Sequence, residues 1–278
     1  MNKLVVELRR LYLQADQCGR SVGEAPQDVP LTDDLLETCF GGQACVALLP
    51  VEANGALRCA VLQWTHSPDW PAVGALHQAV VEELGLPAPV IAVAARAGFQ
   101  MWFSFEHPMV LADVQAFLDA LCRKYLAELP AERVRRYPDA GAVAELPPAL
   151  DEAVERWSAF IDPTMGSMFA DEGGLDIPPN PDRQADLLAG VKSIGAADFQ
   201  RAMEKLREQA PEMAPEMVAS GTAQTASPAG LASAGLSVGA GFDDPRRFLL
   251  AVMNDTQAAA VHRIEAAKAL LPYFTQPD

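Results

Sequence analysis

Between residues 56 and 137 the apolar spacing changes period in a fixed order. Residues 56–64, ALRCAVLQW, form a β-rich run. After Ser67-Pro68-Asp69 the spacing becomes helical, with Trp70, Val73, Leu76, Val80, Val81 and Leu84 on one face and Gly85 at the end. Residues 90–95 are extended, Arg96-Ala97-Gly98 turns, and residues 99–105 return as a strand rich in aromatics until Pro108 breaks it. Val114, Phe117, Leu118, Leu121, Cys122 and Tyr125 then mark a helix over 111–126, and residues 133–137 read as a short edge strand. A chain that reads β-α-β-β-α-β has few topologies open to it, because crossovers are short and of fixed hand.

The expected class is therefore α+β, with a ferredoxin-like or RRM-like core whose two helices lie on one face of an antiparallel sheet. An amphipathic helix over 3–17 precedes it, with Leu4, Val5, Leu8, Leu11, Tyr12 and Ala15 in one stripe. Glu7, Arg9 and Arg10 interrupt what a signal peptide would keep apolar. Residues 19–30 read as a loop, and 31–40 as a helix capped by Thr32 or Asp33. Residues 45–53 and 56–64 flank Asn54-Gly55, the signature of a two-residue hairpin, so the earlier strand is expected to extend the sheet. These elements give an N-terminal unit of residues 1–146.

Past a Pro- and Ala-rich joint, residues 147–209 read as a helical appendage: a helix over 151–160, an irregular stretch over 162–179, a helix capped by Asn180 with Pro181 in its first turn, and a helix over 198–209. Met165, Met168 and Phe169 predict that the irregular stretch lies against other structure. Residues 210–243 are dominated by Ala, Ser, Gly, Pro and Thr, the composition of a disordered linker. Residues 244–278 read as a helical hairpin too small to stand alone, so it is expected to bind a partner or another copy through Phe248, Val252, Arg263, Lys268 and Tyr273.

The net charge of −16 opposes non-specific adhesion to nucleic acid. Arg123, Lys124, Arg133, Arg135 and Arg136 are the dense basic group. The five cysteines are odd in number, contain no CxxC and have no His at zinc-ligand spacing, which predicts a reducing cytoplasm and no structural metal. There is no Walker loop, no GxGxxG and no GxSxG, so no cofactor is expected; no apolar run is long enough for a bilayer. The four histidines form no triad motif, though His66, His107 and Asp69 would offer enzyme chemistry if they converged.

The wording of residues 45–139 resembles the archaeo-eukaryotic primase superfamily, which includes primase-polymerases. It is carried by a strand ending near Gln63, a helix ending in EELGLPAP, and the strand–Gly turn–aromatic strand AARAGFQMWFSFEHP. The resemblance implies a carboxylate pair holding two divalent metals at the end of the first strand, a nucleotide-contacting histidine after the Gly turn, and a third acid later. Here those positions read Gln63 and Thr65, then Gln100, with Asp139 as the stand-in for the third acid. Neutral amides do not replace paired carboxylates at a magnesium site, so an inactive scaffold is expected. Single-stranded nucleic acid is then the implied partner, at Arg96, Gln100, Trp102, Arg133, Arg135 and Arg136, with exposed aromatics stacking on bases. The competing expectation is that the N-terminal helix or residues 162–179 cover that sheet face.

FLLAVMNDTQAAAVHRIEAAKALLPYF, residues 248–274, is similar to a short helical motif of phage and prophage proteins, some of them small terminase subunits. That resemblance implies a mobile-element setting. The leading expectation is a non-catalytic adaptor associated with nucleic acid or a protein partner. The alternative is an acidic interaction or inhibitor module that mimics DNA charge or binds a host factor.

Overall fold

The computed structural model describes residues 2–15, 17–22, 26–49, 55–139, 143–171 and 173–208. All lie in one compact unit, Met1–Met213. Residues 209–278, and with them the expected linker and the hairpin residues Phe248, Val252, Arg263, Lys268 and Tyr273, lie outside the described residues.

Helix α1 (Lys3–Leu11) starts where the Asn2 side chain accepts from the Leu4 N–H at 3.0 Å, and it buries Leu4, Val5, Leu8 and Leu11. It stops short of the expected residue 17. The expected loop over 19–30 instead carries strands β1 (Cys18–Ser21) and β2 (Asp28–Pro30). Helix α2 (Asp33–Phe40) is capped by Thr32 as its sequence predicts. Strand β3 (Val46–Leu48) follows, then β4 (Ala56–Trp64), α3 (Trp70–Glu82), β5 (Val90–Val93), β6 (Phe99–Val110), α4 (Leu111–Tyr125) and β7 (Val134–Tyr137). Short strands β8 (Ala144–Glu145), β9 (Leu150–Asp151), β10 (Arg156–Trp157) and β11 (Ala159–Ile161) lead to a 3-10 helix, Pro163–Phe169. Helices α5 (Pro181–Ala189), capped by Asn180, and α6 (Ala196–Glu208) complete the described part.

The main sheet has the order β11-β5-β6-β4-β7, with every neighbouring pair antiparallel. Register sorts its side chains, because successive residues point to opposite faces. Ala60, Leu62 and Trp64 lie opposite Phe103, Met101 and Phe99 and share one face with them. There Phe103 meets Phe117 of α4 edge-on at 5.5 Å, Phe105 meets Phe199 of α6 at 6.0 Å, and Trp70 lies 5.0 Å from Phe99. On the other face Val61 and Gln63 lie opposite Trp102 and Gln100.

Helices α3 and α4 thus share the first face, and the second face is also covered, as the competing expectation had it. Tyr12, just past α1, packs its ring 5.1 Å from Trp102 and 6.2 Å from Phe160 of β11. Seven consecutive residues, 99–105, are buried, as a strand sandwiched between two layers requires.

Three further expectations are corrected. Strand β3 does not form a hairpin with β4 around Asn54-Gly55; β1 and β8 occupy its two edges in a separate sheet, β2-β1-β3-β8. Residues 151–160 are not a helix. Residues 157–161 are a continuous buried run, and such a run fits a strand buried on both faces as well as a helix; here β11 pairs with β5 and joins the main sheet, so this stretch is no separate appendage. The irregular stretch does lie against other structure as expected, with Gly166 buried against the Trp70 ring and Phe169 packed on the core, although Met165 and Met168 are exposed. Among the described residues no helix is long and apolar enough to cross a membrane.

Candidate functional site

Gln63, near the end of β4, lies opposite Gln100 of β6 on one side and Arg135 of β7 on the other. It is half-buried and borders a cavity of about 450 Å³, which it shares with Arg135, Tyr137, Asp139 and, from the region of β8, Val143 and Ala144. The cavity thus sits where the edge of the main sheet meets the edge of the second sheet. Period-2 alternation along β7 puts Arg135 and Tyr137 on the face of Gln63 and Val61. That spacing was available in the sequence as a signal for Tyr137, which the residue-type reading passed over. The contribution from β8 carries no such signal, because two residues show no periodicity.

The expected stacking platform is not present on this face. Trp102 and Gln100 are 1% and 2% exposed, and the Trp102 indole N–H donates to Gln100 Oε1 at 2.9 Å. A base cannot reach a ring already packed on Tyr12 and Phe160. The covering element is the N-terminal helix end, one of the two covers anticipated.

The arginines divide by partner. Arg133 reaches Asp69 at 2.6 Å, and Asp69 is only 6% exposed. Asp69 occupies the N-cap position of α3 but makes no capping hydrogen bond, so the ion pair with Arg133, not a cap, is its role. Arg136 pairs with Asp119 of α4 and, at 3.2 Å, with Asp139. Arg96, in the turn between β5 and β6, grips Asp151 of β9 through Nε and Nη2 at 2.5 and 3.2 Å. Arg135 is exposed and, among the described residues, has neither ion pair nor hydrogen bond. Of the six residues expected to contact nucleic acid, it alone presents an unpaired charge to a cavity.

A divalent metal pair does not fit the positions that the primase resemblance points to. Gln63 offers an amide, and Thr65 Oγ1 lies 2.9 Å from His66 Nδ1 and 3.3 Å from the Arg133 carbonyl. Gln100 Oε1 is engaged by Trp102, Asp139 by Arg136, and a guanidinium stands directly across from Gln63. Hard cations take negatively charged oxygens, and a neighbouring fixed positive charge opposes them. Among the described residues no three His, Cys, Asp or Glu side chains converge to hold a metal ion.

The enzyme constellation does not assemble. His66 follows the end of β4 that faces Phe99, whereas His107 lies eight residues further along β6, roughly 25 Å away at ~3.3 Å per strand residue. Nor is there an activated thiol among Cys39, Cys45, Cys59 and Cys122: burial pushes each up, to about 11 or 12.

No family model matches the chain, and no curated protein matches its sequence. Among solved structures, the AEP domain of the primase-polymerase of cyanophage S-2L is similar, at 13% identity and a TM-score of 0.35, over 67% of this chain and 96% of that one. At this score too little backbone superposes for function to be carried from one to the other.

Proposed function

We propose that this chain is a non-catalytic adaptor, encoded by a prophage or integrative element, that associates with nucleic acid or a protein partner on a primase-like scaffold. The β4-α3-β5-β6-α4-β7 segment, with strand order β5-β6-β4-β7, is read as its ferredoxin-like core. The observation that carries the reading is Gln63 facing the unpaired Arg135 on the lining of the cavity. An amide and an unpaired guanidinium attract a phosphate and disfavour magnesium. Residues 244–278 are proposed to recruit the partner or a second copy, which a pull-down with and without them tests.

A second reading, an acidic interaction or inhibitor module, is favoured by the neutralisation of positive charge. Arg9, Arg10, Arg20, Arg96, Arg133, Arg136, Arg156, Arg183 and Arg201 all pair with carboxylates, within a net charge of −16.

Filter binding of single-stranded DNA across a salt series separates the two. The first reading expects retention that falls with salt, with the slope reduced by about 0.7 in Arg135→Ala, the loss of one phosphate contact. Absence of retention at low salt, together with co-purification of a host protein, supports the second.

A further inference from the structure

A second, smaller cavity of about 180 Å³ lies further along the same sheet face, bounded by Tyr12, Leu49, Leu57, Arg58, Cys59 and Tyr137. At roughly 30 Å³ per water it accommodates a small oxyanion with water beside it. Two of its donors are left over. Tyr12 is 1% exposed, yet its hydroxyl has no hydrogen-bond partner. Arg58 Nε is likewise buried without an acceptor, while Nη2 is held by the carbonyls of Arg10 at 2.9 Å and Glu106 at 3.4 Å.

The strand pairing opens beside this arginine. Between the pairs Leu57–Met109 and Cys59–Ser104, β4 has Arg58 alone where β6 has four residues, a bulge of β6 that leaves Arg58 outside the regular ladder. Among the described residues no carboxylate lines the cavity and Arg58 makes no ion pair. Burial pushes the Tyr12 hydroxyl up, with Cys59 adding to the rise and Arg10 opposing it; burial also pushes the Cys59 thiol up to about 12. Both stay neutral at physiological pH, so one cation and one hydroxyl donor face the space with no negative charge among the described lining residues to meet them.

We propose that this cavity binds a small oxyanion, a phosphate or carboxylate group, held between Tyr12 Oη–H and Arg58 Nε–H. The proposal does not depend on the adaptor reading, since it concerns neither Gln63 nor Arg135. The same chemistry is offered by a free ion and by the terminal phosphate of a nucleic-acid strand.

The test titrates the full chain with inorganic phosphate and with acetate, at ionic strength held constant with chloride, and follows the thermal unfolding midpoint. A saturable rise in the midpoint is expected for at least one anion. Its apparent affinity should weaken about tenfold in Tyr12→Phe, the loss of one charge-assisted hydrogen bond. Arg58→Gln should weaken it further; if that variant does not fold, Tyr12→Phe, which removes one oxygen, decides alone. Competition by a 5′-phosphorylated but not a 5′-hydroxyl oligonucleotide assigns a strand end, and lack of competition assigns a free ion. No saturable effect of any of these probes, or the same affinity in Tyr12→Phe as in the wild type, overturns the proposal.

Discussion

The indole of Trp102 donates to Gln100 Oε1 across two residues of one strand, at 2.9 Å, with both side chains buried. The pair fixes the amide orientation and uses the acceptor that a ligand would need. Its role is therefore in stability. Gln100→Leu, which orphans the indole N–H, should cost about 1–3 kcal/mol, and Trp102→Ala about 3–5 kcal/mol, both read as shifts in the urea midpoint. An unchanged midpoint with selective loss of DNA retention would return Trp102 to the binding surface.

Asp69 and Arg133 form the most deeply buried ion pair near the site, with Asp69 6% and Arg133 30% exposed at the side chain. Arg133→Met strands a carboxylate whose Oδ2 already has no partner. The expected cost is about 3 kcal/mol, at the low end of the range for breaking a buried pair because Arg133 keeps some solvent. The double variant Asp69→Asn/Arg133→Met should lose less than the two single losses combined. Additive losses in a double-mutant cycle would remove the pair from the account.

Gly98 is the turn between β5 and β6, at φ +85°, and a Cβ there would collide with the Trp64 carbonyl. Both the positive φ and the contact require glycine. Gly98→Ala should destabilise by about 2 kcal/mol or more, with a lowered thermal midpoint as the readout. Gly74, which has open space around its would-be Cβ and sits inside α3, should instead gain from Ala by about 0.5–1 kcal/mol.

The legible part of this chain was the part with long, regular periodicity. Helix α4 and strand β6 each carry enough turns or alternations to declare their type, and the caps at Thr32 and Asn180 follow from local hydrogen bonding. What resisted was non-local. Residues 157–161 bury every side chain, which erases the difference between a strand and a helix. Asn54-Gly55 states a turn preference but says nothing about which edges are free, and β1 and β8 already hold those of β3. At the site, residue identity pointed to Arg135 and to Gln63, while only register showed them face to face. The ion pairs that remove Arg133 and Arg136 from candidacy join residues far apart in sequence, Asp69 and Asp119.

Glu145 sits half-buried in β8, and its pKa is raised above the ordinary 4.5 by burial first and then by Asp151, with Arg96 opposing. A carboxyl with a raised folded-state pKa binds its proton more tightly folded than unfolded. Its favourable contribution is therefore present below about pH 4.5 and is lost as pH rises through the folded value. Glu145→Gln should flatten the dependence of the urea midpoint on pH above 4.5 and raise the midpoint at pH 7. A fall at pH 7 would mean that the carboxylate makes a favourable contact there.

Gln63 faces Arg135 directly across the β4–β7 ladder, so restoring an acid at this position has two competing outcomes. A carboxylate at residue 63 meets a guanidinium first, and an opposite-charge pair across antiparallel strands contributes about 0.2–1 kcal/mol. That pairing consumes the charge a divalent ion would require. Gln63→Asp should therefore raise the thermal midpoint slightly and should show no further rise with magnesium or manganese. The wild-type chain is likewise expected to incorporate no nucleotide on a primed template with either metal. A magnesium-dependent midpoint in Gln63→Asp would show that Arg135 does not guard the position. Wild-type incorporation that disappears in Asp139→Asn would show that the scaffold still transfers nucleotides, through a metal held by residues other than Gln63 and Thr65.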